Sequence, residues 1–373
     1  MWRLSGGLLV PVVLMSVFVT DTVAQSGDAV RLIERLGLRE SDEPMRKRAG
    51  WAPPDRIVIS GRPELVAALQ AVAPDADVIN VDSFRDVVPA IRGADIYFGF
   101  CSSDVLEAGT DIRWIQLPTA GIESCSRLPV VAERGIVVTN AQHIFGPPIA
   151  ETVIGMVLSF AKQLPRYFAA QQQGVWSVRS QGDRLNSGMW ELEGKTLLVV
   201  GLGGLGTEVA RRASALGMRV IATRNSSREG PDFVDYVGLA HEVGELARQA
   251  DVVVNTTPLT DDTRGMFNRS FFEQMQSTAY FINVGRGQSV ITEDLVEALQ
   301  SNTIAGAGLD VTDPEPLPDG HPLWGMENVI IVPHVAGYSD RITPRLHTLF
   351  VENVRRYVAG EALLSVVDLE RGY

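Results

Sequence analysis

The chain has 373 residues, of which 45% are hydrophobic and 21% charged. That content excludes disorder as the main state, and at roughly 150 residues per domain it predicts two domains. Asp and Glu number 45 against 33 Lys and Arg, a net charge of -12, and no basic stripe runs along the sequence; nucleic-acid binding is therefore excluded as a first reading. Two cysteines, Cys101 and Cys125, are too few for a disulfide scaffold or a four-thiolate zinc site, so no metal is expected. One disulfide stays open if the chain is exported.

Arg3 precedes an uncharged, apolar run over residues 8–19, and Thr22-Val23-Ala24 places small residues around a cut after Ala24. This order predicts a secretory signal peptide over 1–24 and export to the periplasm or medium, the other reading being a misassigned start. The run is too short for a membrane span of about 20 residues. Residues 25–55 read as a short amphipathic helix and a charged, proline-containing linker lying outside the core fold.

From Arg56 onward, short β-branched runs alternate with helical spacing. They include Arg56-Ile57-Val58-Ile59, Asp77-Val78-Ile79-Asn80-Val81, and runs at 94–98, 113–117 and 136–139. The alternation predicts βαβ units around a parallel sheet. A long helix begins near Pro147-Pro148, apolar on nearly every side over 149–164, as suits burial between two domains. Residues 171–190 are rich in Gln, Gly and Ser and read as a loop. A second set of strands is expected at 196–200, 219–222, 252–255, 280–283, 308–311 and 329–332, and an amphipathic helix over 345–358 can return to the first unit.

Leu197-Leu198-Val199-Val200 leads straight into Gly201-Leu202-Gly203-Gly204-Leu205-Gly206, followed by helical spacing and the strand Arg219-Val220-Ile221-Ala222. Gly201 permits a tight turn, Gly203 lets backbone approach a pyrophosphate, and Gly206 allows close helix–strand contact. The helix start presents free N–H groups to phosphate. A lone glycine motif is weak; this one sits strand–turn–helix–strand within about 30 residues, which points to a dinucleotide rather than a structural turn.

Three further segments follow strands: Asn283-Val284-Gly285-Arg286-Gly287, Asp310-Val311-Thr312-Asp313-Pro314-Glu315-Pro316 and Pro333-His334-Val335-Ala336-Gly337. Strand carboxyl ends are where open α/β sheets bind ligands. Arg286 can grip a substrate carboxylate with two prongs, and His334 can exchange a proton with a hydroxyl. Glu315 beside it favours the charged imidazole. Singly, each reads as a surface charge, a solvated carboxylate or a core histidine; after a dinucleotide motif they read as catalytic. His143, His241, His321 and His347 are scattered without metal-ligand spacing.

On these segments, residues 56–360 resemble the D-isomer-specific 2-hydroxyacid dehydrogenase family, and 310–318 most resemble its glyoxylate/hydroxypyruvate reductases. The resemblance implies two doubly wound α/β lobes: a flavodoxin-like substrate lobe over 56–145 and 337–373, and a Rossmann dinucleotide lobe over 146–336. It implies Arg286 as carboxylate binder, Glu315 as partner of the histidine, and His334 as acid/base. It places cofactor contacts at Thr257, Pro258, Val284, Gly285 and Asp310, the last accepting from the nicotinamide amide. It makes Pro118-Thr119-Ala120-Gly121-Ile122 the substrate loop, whose backbone at Ala120 and Gly121 meets the carboxylate. Glu123-Ser124-Cys125 stands where the family often has an Asp-His-type pair, and Gly285 replaces its usual alanine. A homodimer through the helix after Pro148 is also implied. Cys125 reads as a small packing residue rather than a reactive thiol.

The acid that would accept from an NAD ribose is missing. Arg224 stands 18 residues after Gly206, and Ser226, Ser227 and Arg228 follow before the first carboxylate, Glu229. Arginine there pairs with a 2′-phosphate, which predicts NADP(H) over NAD(H). The leading function is an NAD(P)H-dependent reductase of small 2-keto acids giving D-2-hydroxy acids. A nucleotide-sensing binding protein of the same fold is the alternative. Formate dehydrogenase is disfavoured because Glu315 stands where that branch carries an amide. Soluble nicotinamide cofactors are maintained in the cytoplasm, which keeps a cytoplasmic location open against export.

Overall fold

A computed structural model describes residues 25–225 and 227–369. The expected signal peptide and Ser226 lie outside the described residues. Among the described residues two parallel sheets organise the chain. The first contains β1 (Arg56–Ser60), β2 (Asp77–Val81), β3 (Ile96–Phe98), β4 (Trp114–Gln116) and β5 (Val137–Thr139), in the order β2-β1-β3-β4-β5. The second contains β6 (Thr196–Val200), β7 (Arg219–Arg224), β8 (Tyr236–Leu239), β9 (Val252–Asn255), β10 (Tyr280–Asn283), β11 (Gly306–Leu309) and β12 (Val329–Ile331), in the order β12-β11-β10-β9-β6-β7-β8. Every strand pair is parallel.

The apolar runs form strands because both faces are covered by helices. All five residues of β6 are buried. Their alternation sends Leu198 and Val200 to a core with Phe267, Phe272 and Phe281, and Leu197 and Val199 to one with Val153, Val157 and Ala210. Each such side chain contributes roughly 1.5–3 kcal/mol on leaving water. Tyr236–Leu239 is an edge strand absent from the sequence reading; its Gly238 breaks the apolar run, and pairing with β7 supplies what propensity does not.

The C-terminal helix Ile342–Val358 returns to the first sheet. Phe350 meets Phe98 with ring centroids 4.2 Å apart, and Tyr357 stacks on Trp114 at 5.6 Å. Buried Asn353 donates to Gln116 Oε1 at 3.1 Å, fixing the helix against β4.

The N-terminal extension does not lie outside the core. Its helix Gly27–Leu36 buries Leu36, with Leu38 just beyond, against Ala141 and Ile144 of one inter-lobe crossover and Ile342 and Leu346 of the other. Trp51 Nε1 donates to Tyr357 O at 3.0 Å, and Glu40 pairs with Arg356. A ten-residue amphipathic stripe announces that a helix packs, but not on what.

The helix Gly146–Ala161 starts with prolines in its first turn, where no amide partner is lost. It buries Val153, Met156, Val157 and Phe160 in the nucleotide lobe, while Glu151 and Gly155 face solvent, so it is amphipathic by contact rather than buried all round. The stretch expected as a loop over 171–190 takes in the end of the helix Leu164–Gln172 and all of the helix Gln181–Leu185, the second opened by a Ser180–Asp183 capping box. No helix of the described residues is long and apolar enough to cross a membrane.

Candidate active site

The glycine cradle begins where β6 ends. Gly201 has φ +97°, and a Cβ there would lie 3.0 Å from Thr257 Cγ2. At Gly206 a Cβ would stand 2.3 Å from Gly201 O. A Cβ on Gly203 would meet nothing within 4 Å, so the start of the helix Gly204–Ala215 is open on the side a phosphate approaches. Leu202 is buried and donates its N–H to Thr223 O at 2.8 Å, while Leu205 is half-buried. Thr256 Oγ1 donates to Gly201 O at 2.7 Å, tying the cradle to the loop after β9. Crowded glycines inside and open backbone outside fit a pyrophosphate.

Arg224 ends β7 and is half-buried. Its Nε donates to Leu202 O at 2.9 Å, which holds the guanidinium beside the cradle. Arg228 is differently placed: it pairs with Glu242 at 2.8 Å and donates to Tyr236 Oη at 2.8 Å. The two-arginine argument thus narrows to Arg224.

Two buried asparagines set the loops after β9 and β10. Asn255 Nδ2 donates to Asn283 Oδ1 at 2.9 Å, and Asn255 Oδ1 accepts from Thr257 N and Thr257 Oγ1. Asn283 Oδ1 also accepts from Gly285 N, and Asn283 Nδ2 donates to Arg286 O. This clasp explains Gly285: a Cβ would stand 2.8 Å from Thr257 O and 2.9 Å from Asn255 Nδ2. Val284 is buried beside it, and Pro258 follows Thr257 on the same edge.

Arg286 crosses to the substrate lobe. Its Nε donates to Glu123 Oε1 at 2.8 Å and its Nη1 to Gly285 O at 2.9 Å. The two-pronged grip expected for this side chain is therefore partly taken: Glu123 holds Nε, and Nη2 and the second hydrogen of Nη1 are the donors left for it. A Cβ on Gly121 would stand 2.2 Å from Arg286 Nη2, which brings the substrate loop against that free prong. Burial pushes the Glu123 carboxyl up, but the hydrogen bond and charge of Arg286 outweigh it, and the group sits below its ordinary value. Glu123 is thus an anion beside the Arg286 guanidinium and Gly121.

The substrate loop is anchored from β5. Asn140 Nδ2 donates to Ala120 O at 2.8 Å and Ala141 N to Thr119 O at 2.9 Å. On the other side, Cys125 is bonded to Cys101 as a disulfide, with Cα atoms 5.0 Å apart. Cys125 is therefore a cross-link rather than only a small packing residue.

His334 has a left-handed backbone, φ 52°. Its N–H donates to Asp310 O at 2.8 Å, and Val335 N and Ala336 N both donate to Asp310 Oδ1 at 3.0 Å. These bonds impose the turn that aims the ring. Its Nδ1 lies 2.6 Å from Glu315 Oε1; the carboxylate accepts from that nitrogen, leaving Nε2 for a substrate. Asp310 is buried, which pushes its carboxyl up against the downward pull of the Ala336 and Val335 N–H groups. Among the described residues no cluster of three His, Cys, Asp or Glu could hold a metal ion.

All three ligand segments and the cradle therefore open at the carboxyl ends of the adjacent strands β12, β11, β10, β9 and β6. Sequence reasoning named their side chains but not Asn255, Asn140 or the partnership of Glu123 with Arg286. The first two carry no motif, and the third joins residues 163 positions apart.

A glycine cradle at a helix start, with Arg286 and a histidine–glutamate pair on the same sheet edge, defines a nucleotide-dependent oxidoreductase. Residues 154–336 match the NAD-binding domain of the D-isomer specific 2-hydroxyacid dehydrogenases. The human glyoxylate reductase/hydroxypyruvate reductase is 31% identical over 319 residues, covering 84% of this chain and 96% of that protein. A D-isomer specific 2-hydroxyacid dehydrogenase family protein from Aeromonas salmonicida superposes with TM-score 0.73 at 30% identity, over 85% of this chain and all of that one. An NADPH-dependent glyoxylate/hydroxypyruvate reductase from Sinorhizobium meliloti, solved with NADP and sulfate, gives TM-score 0.73 at 27% identity over 86% of this chain and all of its own. The chain belongs to the D-isomer-specific 2-hydroxyacid dehydrogenase family, and is an NAD(P)-dependent enzyme of the oxidoreductase type.

Proposed function

We propose that the protein reduces a small 2-keto acid of the glyoxylate or hydroxypyruvate type to a D-2-hydroxy acid, with NADPH preferred over NADH. The observation that carries the reading is the His334–Glu315 contact at 2.6 Å on the sheet edge that also presents Arg286 and the glycine cradle. The bound reduced nicotinamide supplies the hydride. Cofactor contacts fall to Gly201, Leu202, Gly203, Gly204, Leu205 and Gly206, with Thr257, Pro258, Val284, Gly285 and Asp310 along the edge. Arg224 faces the ribose 2′-phosphate. Arg286 Nη2 and the backbone of Ala120 and Gly121 hold the substrate carboxylate. His334 Nε2 delivers the proton to the carbonyl oxygen, while Glu315 fixes the ring's orientation and tautomer. A purely sensing role leaves the aligned His334–Glu315 pair without a task.

Turnover of a 2-keto acid panel with NADPH and NADH, followed by chiral analysis of the product, tests this. D-Product formed faster with NADPH supports it, whereas no cofactor oxidation across the panel favours the sensor.

Two further parts of the reading rest on other features. Exposed Phe168, Trp176 and Leu185, which follow the helix Gly146–Ala161 in the chain, support a homodimer through that helix and its successors, checked by light scattering. The disulfide supports export to an oxidising compartment; mass spectrometry of the native protein checks for a start after Ala24.

A further inference from the structure

Cys125 lies two residues beyond Glu123 in the short helix Glu123–Ser126, directly after the substrate loop. Cys101 precedes Ser102, whose hydroxyl caps the helix Ser103–Ala108 at the end of β3. Both sulfurs are removed from solvent, with Cys125 fully buried and Cys101 7% exposed. The hydrogen bonds of the helix Glu123–Ser126 are local: Cys125 N and Ser126 N both return to Ile122 O. The bonds from Asn140 and Ala141 stop at Ala120 and Thr119. Beyond Ile122, the turn is held to its own lobe by the disulfide and by apolar packing of Ile122 and Cys125. Glu123 projects from this turn to Arg286 of the other lobe.

We propose that the Cys101–Cys125 disulfide is a positioning element for the substrate: it fixes the turn that presents Gly121 and Glu123 to Arg286, and so sets affinity for the 2-keto acid without acting on the cofactor. The proposal rests on the carboxylate subsite assigned above. Its logic is preorganisation. A turn already fixed loses little entropy when substrate binds, and a freed turn must be ordered at that moment. The cofactor cradle has its own anchors in Thr223, Thr256 and Asn255, and none of them runs through residues 101–125.

The test compares the parent protein with Cys101→Ala/Cys125→Ala, and with parent reduced by dithiothreitol. In that reduction the dithiol gives two electrons and two protons, the Sγ–Sγ bond breaks to two thiols, and the reagent becomes a cyclic disulfide. Alkylation and mass spectrometry verify the sulfur state. The expected result is a roughly tenfold rise in KM for the keto acid, kcat within about threefold, and NADPH affinity by fluorescence unchanged. Reoxidation of the reduced parent restores KM, and hydrogen exchange quickens over 118–126 selectively. An unchanged KM with verified thiols overturns the proposal. So does loss of NADPH binding or general unfolding on reduction, because the bond would then serve the whole fold. Should the double variant fail to fold, the reduced parent decides. If the oxidised parent turns over no keto acid, the functional reading fails; the hydrogen-exchange comparison still decides the positioning claim, with unchanged exchange over 118–126 overturning it.

Discussion

The two sides of the cleft are built by different means. The nucleotide side is a set of strand ends in register: Val200, Asn255, Asn283 and Leu309 close adjacent strands, and candidate site residues follow each. Its glycines and asparagines act between neighbouring strand ends, Asn255 on Asn283 and Thr256 on Gly201. The substrate side has one short loop, and its geometry depends on contacts from far along the chain: Asn140, Cys101 and Arg286. The first design tolerates little change in its backbone, since added atoms collide directly. The second depends on links that can be cut one at a time, and graded losses are expected from it.

That contrast can be broken or sharpened by substitution. The largest effect is expected on the nucleotide side. His334→Ala should lower kcat by about 10²–10⁴-fold while NADPH affinity, measured by fluorescence, stays near that of the parent; near-normal kcat would remove His334 from proton transfer. Arg286→Ala should lower kcat/KM for the keto acid by about a hundredfold, since it removes a charged donor and leaves the ionised Glu123 facing the carboxylate. A change of only a few-fold would show that the carboxylate is held elsewhere. Arg224→Asp should turn the ratio of kcat/KM values for NADPH and NADH toward NADH by about tenfold or more, by replacing attraction with repulsion at the 2′-phosphate. An unchanged ratio would contradict the placement of Arg224 beside the cradle.

A smaller effect concerns the brace on the crossover. His143 Nδ1 lies 2.8 Å from Leu36 O and donates to it, and its ring packs against Gly204, where a Cβ would stand 2.8 Å from His143 Cε1. Burial lowers its pKa below the ordinary 6.5. A histidine held neutral in the fold contributes stability in full above its unfolded value and loses it as pH falls below that value. From about pH 8 to about pH 5.5 the denaturation midpoint of the parent should therefore fall more steeply than that of His143→Gln. Glu123, lowered rather than raised, keeps its contribution throughout that window. Parallel curves would show that the extension does not depend on a neutral His143.

Which parts were legible in the sequence follows the same contrast. The cradle, Arg286, Glu315 and His334 could be read because each sits within a few residues of a strand whose apolar run announces it. Period and punctuation also gave the strand sets and the returning C-terminal helix. Tyr236–Leu239 escaped because its strand character comes from pairing with β7, not from its own run. The extension was misplaced because Leu36 and Leu38 find Ile342 and Leu346 some 300 residues away. The occupied Nε of Arg286 was illegible for the same reason: nothing near position 286 names Glu123. The disulfide was open in the sequence only as a count of two cysteines.

The proposal that the Glu123–Arg286 contact between the lobes sets up the substrate site is tested most directly by a double-mutant cycle on kcat/KM for the keto acid. In the parent background Glu123→Gln should lower kcat/KM by about fivefold or more, and in the Arg286→Lys background, where the Nε donor is gone, the same change should have almost no effect. That coupling is on the order of 1 kcal/mol, within the range of residues in direct contact. Equal effects of Glu123→Gln in both backgrounds would mean that the two residues act independently, and would contradict the account.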